Sequence, residues 1–340
     1  MAELLRPDDT RDALRKIGAL LLGIGILMLI TRKENDLAKG WVLVLYAIPA
    51  ALLYGGGVLT TKDTGGARPW QAVWSVFGLL FVALALDQFV TVVDETRDGA
   101  LNAFWIFGVV TALAFYAGAV LGIRFHLLAG SIALIISWSA LWDKILGDEG
   151  LAGHIGTYRG LLGILAIILL AGALYLWRTA PSARVTGTGV DDGGDERLWK
   201  ASELITGAGI AAVFATSLLG LDLEAGIQSL FSGFTGSEQE FFHTSTFWDT
   251  LLLLISLGLI GIGSTIGTRG PVYIGAIGLT FFLVIVGADL NEGLDADPSN
   301  LGGWPIILLV LGGLAILLSA VKESSLGDKP KQFVNKLKSG

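Results

Sequence analysis

Four acidic side chains lie within nine residues near the end of the chain, at Asp289, Glu292, Asp295 and Asp297. Hard cations such as calcium take six to eight oxygen ligands, and closely spaced carboxylates supply several of them. The spacing does not match the helix–loop–helix calcium motif, which requires alternating acidic or amide residues and a Glu at position twelve. We therefore predict an irregular divalent-cation site here, with a solvated loop of turns and caps as the alternative.

Sequence signatures of catalysis are missing from the chain. It has no cysteine, which excludes disulfides, thiolate metal sites and thiol nucleophiles. We find no glycine-rich phosphate loop, no nucleophile-elbow motif and no paired-histidine zinc motif. No catalytic or cofactor-binding residue is therefore assigned, and an enzyme is the least favoured class.

Charged residues are rare within the apolar parts of the sequence. Asp87, Glu203 and Asp249 fall near the ends of apolar segments, where we expect their carboxylates to reach water. The centres of the segments carry hydroxyl side chains but neither lysine nor spaced arginines. This pattern argues against a relay of central carboxylates, a voltage sensor and a lysine-linked chromophore.

Ten apolar segments must position these residues. The chain of 340 residues is 53% hydrophobic and 16% charged, whereas soluble domains average about 45–50% and about 25%. About 20 apolar residues cross a bilayer as a helix, and continuous apolarity favours helices over barrel strands. We therefore predict an all-α integral membrane protein with ten transmembrane helices in the lipid bilayer. The segments are 13–31, 41–60, 71–93, 102–123, 126–142, 158–178, 202–220, 248–267, 270–288 and 303–321.

The distribution of basic residues predicts the orientation. With both termini in the cytoplasm, 17 of the 23 Lys and Arg residues fall on the cytoplasmic side of the ten-helix arrangement. This bias is the one expected of multi-pass proteins. The net charge of −7 argues against a nucleic-acid partner, because that contact depends on clustered cationic surface.

Part of the chain is repeated after about 145 residues, which indicates a duplicated unit. Each copy has four apolar segments, an even number, so the two copies run in the same direction across the membrane as parallel repeats. The matched positions are Phe104-Trp105 with Phe247-Trp248, Arg124 with Arg269, and Asp143 with Asp289.

This duplication predicts five regions. They are an N-terminal segment with a two-helix hairpin (1–62), four-helix repeat A (70–178), a flexible cytoplasmic linker (179–198), four-helix repeat B (199–322) and a basic cytoplasmic tail (323–340).

Two functions remain open. Pro49 and the triplet Gly55-Gly56-Gly57 predict a broken or mobile second helix, a feature of many transport sites, and favour a translocator of a small solute or ion. Glycine-rich segments without charge at their centres are equally typical of tight helix packing. They favour a non-catalytic structural or assembly subunit with protein partners in a membrane complex.

Overall fold

The computed structural model describes residues 38–64, 69–93, 98–147, 154–179, 185–186, 189–190, 193–217 and 246–293, and isolated positions between 17 and 28. These residues are helical apart from connecting turns and one antiparallel pair of two-residue strands, β1 (Val185–Thr186) and β2 (Gly189–Val190). The all-α prediction is therefore confirmed for this part of the chain. The helices are α1 (Lys39–Ala50), α2 (Gly56–Thr64), α3 (Pro69–Val93), α4 (Gly99–Phe115), α5 (His126–Leu146), α6 (Ile155–Arg178), α7 (Gly193–Ser217), α8 (Thr246–Ile266) and α9 (Arg269–Gly293).

Among the described residues, seven helical stretches are long and apolar enough to cross a membrane. They have 20–24 residues and mean hydropathies of 1.2–2.3, and they match the second to eighth predicted segments. The ninth predicted segment forms the start of α9, where a shorter apolar stretch covers Arg269–Leu283. The first is described only at isolated helical positions, and the tenth lies outside the described residues. The fold is thus compatible with a multi-pass membrane protein.

The second predicted segment contains no break. The chain stays helical through Pro49 and the glycine triplet, and a π-helical segment, Ala51–Gly55, joins α1 to α2. Proline removes one backbone donor and crowds the preceding turn, and the π segment follows it as a single-turn bulge in a continuous helix. A second π-helical segment, Tyr116–Val120, ends α4.

Tyr54 links the two π-helical regions. Its hydroxyl donates to the carbonyl oxygen of Leu113 at 2.9 Å, just before the second π segment. On α3, a Cβ atom added to Gly78 would lie 2.6 Å from the Cα of Tyr54, so only glycine lets the two backbones come this close. The sequence feature that predicted a break is therefore a close packing point for three helices.

The α4–α5 hairpin is held at both ends. Asp98 accepts the Leu101 amide at 3.1 Å as the N-cap of α4, and it pairs with Lys144 in the last turn of α5 at 2.5 Å. At the other end, Gly122 has a φ of 67°, a conformation that glycine adopts without strain.

The α8–α9 hairpin repeats contacts of the α4–α5 hairpin at a constant spacing. Its turn also contains a positive-φ glycine, Gly267 with a φ of 75°. A Cβ on Gly118 would lie 2.9 Å from the Leu127 nitrogen, and one on Gly263 would lie 2.9 Å from the Val272 nitrogen. Each of these residues in the second hairpin is 145 positions after its counterpart. The same spacing relates Gly130 against Phe115 to Gly275 against Ile260.

Internal contacts divide the chain into two units. The first comprises residues 1–238 and 245–281, and the second comprises residues 239–244 and 282–340. The described part of the second unit is the end of α9, residues 282–293. In the first unit, α7 begins at Gly193, inside the range that the sequence assigned to a linker.

Candidate functional site

The helix α7 packs against α5 and α6 along one interface of the first unit, which we call the seam, and α8 packs against α7 and reaches α6 at Trp248. Near its middle, a Cβ on Gly207 of α7 would lie 2.5 Å from the Ser131 hydroxyl oxygen of α5 and 3.9 Å from a methyl carbon of Leu169 on α6. Beside it, a Cβ on Gly209 would lie 2.9 Å from Leu259 of α8. Small residues therefore bring these helices into direct contact.

A carboxylate from α7 closes one end of the seam. Glu203 Oε1 accepts the backbone N–H of Phe125 at 2.6 Å, and Oε2 accepts those of Leu127 at 3.1 Å and Leu128 at 3.3 Å. The first amides of a helix have no partner within it and carry the positive end of its dipole. Glu203 therefore caps α5 from a helix more than 70 residues later in the chain.

Two cations strengthen this end of the seam. The guanidinium carbon of Arg124 lies 5.9 Å from the centroid of the Trp199 ring. The ammonium of Lys200 donates to the Ala119 carbonyl at 3.0 Å. Together with the Glu203 cap, these two contacts join the start of α7 to the α4–α5 turn at several points. The Glu203 cluster comprises Arg124, Trp199, Lys200 and Glu203 with the backbone amides of Phe125, Leu127 and Leu128.

His126, the first residue of α5, is fully buried next to this cluster. Its Nδ1 lies 3.1 Å from the Arg124 carbonyl oxygen, which fits a neutral ring that carries its proton on Nδ1 and donates it there. The other ring nitrogen, Nε2, is buried with no hydrogen-bond partner among the described residues.

A second polar cluster closes the opposite end of the seam. The guanidinium carbon of Arg159 on α6 lies 4.8 Å from the Trp248 ring centroid on α8. The neighbouring Asp249 is only 4% exposed, and its charge acts on Arg159. A buried carboxylate of this kind requires a partner of opposite charge. Tyr158 adds a hydrogen bond to Asp143 of α5 at 3.1 Å. The Arg159 cluster comprises Asp143, Tyr158, Arg159, Trp248 and Asp249.

The two clusters are far apart along the same helices. Leu127 and Asp143 both lie on α5, sixteen positions apart, which corresponds to about 24 Å at the helical rise. Between them Ser137 of α5 donates to the Phe104 carbonyl of α4 at 2.8 Å, whereas other hydroxyl groups bond within their own helices. Four of them donate to the carbonyl four residues earlier: Thr111 to Phe107, Ser131 to Leu127, Thr206 to Ser202 and Ser256 to Leu252.

The structure describes the helical position of two of the four predicted cation ligands. Asp289 and Glu292 fall in the final turns of α9, and Asp295 and Asp297 lie outside the described residues. Within the described residues, no three His, Asp or Glu side chains are grouped as a metal would require. The cation site therefore stays a prediction.

The structure corrects the expectation that three carboxylates near segment ends reach water. Asp87 is exposed, but Asp249 is buried and Glu203 is half-buried and bonded to backbone amides. The sequence could have indicated the pairing of Asp249 with Arg159, because both residues lie near the starts of predicted segments on the same side of the membrane. Glu203 gives no such signal, since its partners are backbone groups.

Comparisons with protein-family models, with curated proteins and with solved structures returned no match.

Proposed function

We propose that this chain is a multi-pass membrane protein that moves a small solute or ion along the seam. The observation that carries the proposal is the pair of polar closures, the Glu203 cluster at one end and the Arg159 cluster at the other. Alternating access requires a closure on each side that forms and breaks without covalent change. Hydrogen bonds to a carboxylate and stacking of a cation on a ring meet that requirement.

The proposed membrane arrangement has ten helices with both termini in the cytoplasm. Seven long apolar helices among the described residues support it, as does the placement of 17 of 23 basic residues on one side. In this arrangement the Glu203 cluster faces the cytoplasm and the Arg159 cluster faces the outer side.

The seam also fits a boundary between two parallel copies of one unit. The constant spacing of 145 residues between the contacts of the two hairpins supports the duplication. Because α4 and α8 are uninterrupted over these positions, that spacing matches Phe104 with Asp249 rather than with Phe247. On this alignment α5 and α6 belong to repeat A, and α7 and α8 belong to repeat B.

Flux measurements on cross-linked protein test the proposal. The chain has no cysteine, so Arg159→Cys with Trp248→Cys introduces the only two thiols, and a short bis-methanethiosulfonate joins them. In liposomes loaded with indicators for protons, sodium, potassium and chloride, we expect flux through the unlinked pair, loss of flux on linking, and recovery with reductant. The two single-cysteine variants treated with the same reagent are the controls.

A second candidate function is a structural subunit of a membrane complex. The close contacts at Gly78, Gly207 and Gly209 favour it, since rigid packing of this kind suits a scaffold. Absence of flux for all four ions, together with migration as a stable complex with other subunits in mild detergent, would replace the translocator with this function.

A further inference from the structure

We infer that Glu203 is a proton-binding site and that a proton on its carboxylate opens the seam at this end. The inference deepens the proposed function and rests on it for the direction of opening. A proton from the aqueous phase at this end of the seam adds to one carboxylate oxygen. Apart from this proton transfer, only hydrogen bonds change.

The contacts of Glu203 depend on its charge. An ionised carboxylate only accepts hydrogen bonds, and here its two oxygens accept three backbone N–H groups. Oε2 accepts two N–H groups, those of Leu127 and Leu128, so a proton on that oxygen would displace one of them. A proton on Oε1 would occupy the lone pair that the Phe125 N–H leaves free. The remaining bonds lose the charge that makes such contacts roughly twice as strong as neutral ones.

The described titratable groups around Glu203 include no second carboxylate. The contacts at this end of the seam therefore depend on the charge of Glu203. Arg124 is the cation whose charge acts on it. His126 begins α5, Lys200 lies one turn earlier on α7, and α8 has no titratable side chain from residue 252 to residue 266. The helices α6 and α9 add exposed side chains at Tyr175, Arg178, Arg269 and Tyr273.

The seam directly behind this site contains Ser131. It lies one turn beyond Leu127 on α5 and touches Gly207, one turn beyond Glu203 on α7. Ser131 is fully buried. Separation of α7 from the start of α5 would therefore expose residue 131 first.

Reactivity of a single thiol at this position tests the inference. Ser131→Cys is made in the full chain, placed in lipid nanodiscs and treated with a small methanethiosulfonate at pH 5 and pH 8. Each rate is divided by the rate of the same protein unfolded in SDS at the same pH, which removes the effect of thiol ionisation. We expect the ratio to be at least about tenfold higher at pH 5, which corresponds to about 1.4 kcal/mol.

Two variants assign that response to Glu203. Adding Glu203→Gln should give the fast rate at both pH values, because the amide cannot ionise. Ser256→Cys is the matched control, since Ser256 is also fully buried and also donates to the carbonyl four residues earlier, and its rate ratio should not change. Glu203→Asp keeps the titration if the glutamine variant does not fold.

Equal rate ratios at the two pH values would overturn the inference. So would a pH response that persists in Glu203→Gln, because another group such as His126 would then titrate. The labelling does not require transport. A response of Ser131→Cys without any ion flux would sink the proposed function alone, and flux with a constant labelling ratio would sink the proton site alone.

Discussion

The guanidinium carbon of Arg159 lies 4.8 Å from the ring centroid of Trp248, so the first turn of α6 is joined to the first turn of α8 by a stacked cation. Asp249 follows directly in the chain and is almost fully buried. The planar guanidinium stacks on the ring and remains charged, which an ammonium does less well. This contact links α6 to α8 at that end of the seam.

Arg159→Lys should therefore weaken the closure while it keeps the charge that Asp249 requires. We expect the free energy of unfolding to fall by about 1 kcal/mol, the range of a partly desolvated cation–π contact. A double-mutant cycle with Trp248→Leu, measured by thermal unfolding in detergent, isolates the pair. Additive losses from the two single variants would mean that the stacked contact contributes nothing.

The sequence predicted the helices better than it predicted their contacts. Apolar length located the seven stretches because backbone groups in hydrocarbon must pair within a helix. The partners of the charged residues were not predictable. Glu203 bonds to amides that almost every residue type provides, and Asp249 is buried near an arginine 90 positions earlier. The predicted break near Pro49 was wrong, because the chain stays helical through it by way of a π-helical segment.

The ion pair between Asp98 and Lys144 should make stability depend on pH in acid. The Lys144 ammonium, and then the Leu101 amide, hold the pKa of Asp98 below its ordinary value. A depressed carboxyl pKa stabilises the fold above the unfolded value of about 3.9, and this contribution is lost as the pH falls through the folded pKa. The melting temperature of Asp98→Asn should therefore be lower than that of the parent protein at pH 6. The two melting temperatures should be equal at pH values below the folded pKa of Asp98.

Two controls separate the ion pair from the helix cap. Asparagine still caps α4, so the effect of Asp98→Asn reports the charge. Lys144→Gln should reproduce that effect at pH 6, and 1 M salt should reduce both because the pair is exposed. A difference between Asp98→Asn and the parent that persists at pH values below the folded pKa would assign the effect to the cap.

The predicted cation site calls for its own measurement. If Asp289, Glu292, Asp295 and Asp297 bind a divalent ion, millimolar calcium should raise the melting temperature by mass action. The shift should be absent in Asp295→Ala and Asp297→Ala. Magnesium at the same concentration is the control, since it prefers a smaller octahedral shell. An unchanged melting temperature with calcium would leave this segment as a solvated loop.

Equal penalties at matched glycines test the duplication. A methyl group added to Gly118 or to Gly263 would lie 2.9 Å from a backbone nitrogen, that of Leu127 in one hairpin and that of Val272 in the other. It must push the two helices of its hairpin apart, and overpacking of this kind costs about 1–3 kcal/mol. We therefore expect Gly118→Ala and Gly263→Ala to lower the free energy of unfolding by similar amounts.

Gly258→Ala is the control, because nothing lies within 4 Å of its Cβ position, and it should gain up to about 1 kcal/mol from helix propensity. A large penalty at only one of the two matched glycines would contradict the equivalence of the hairpins, and with it the assignment of the seam to a boundary between copies.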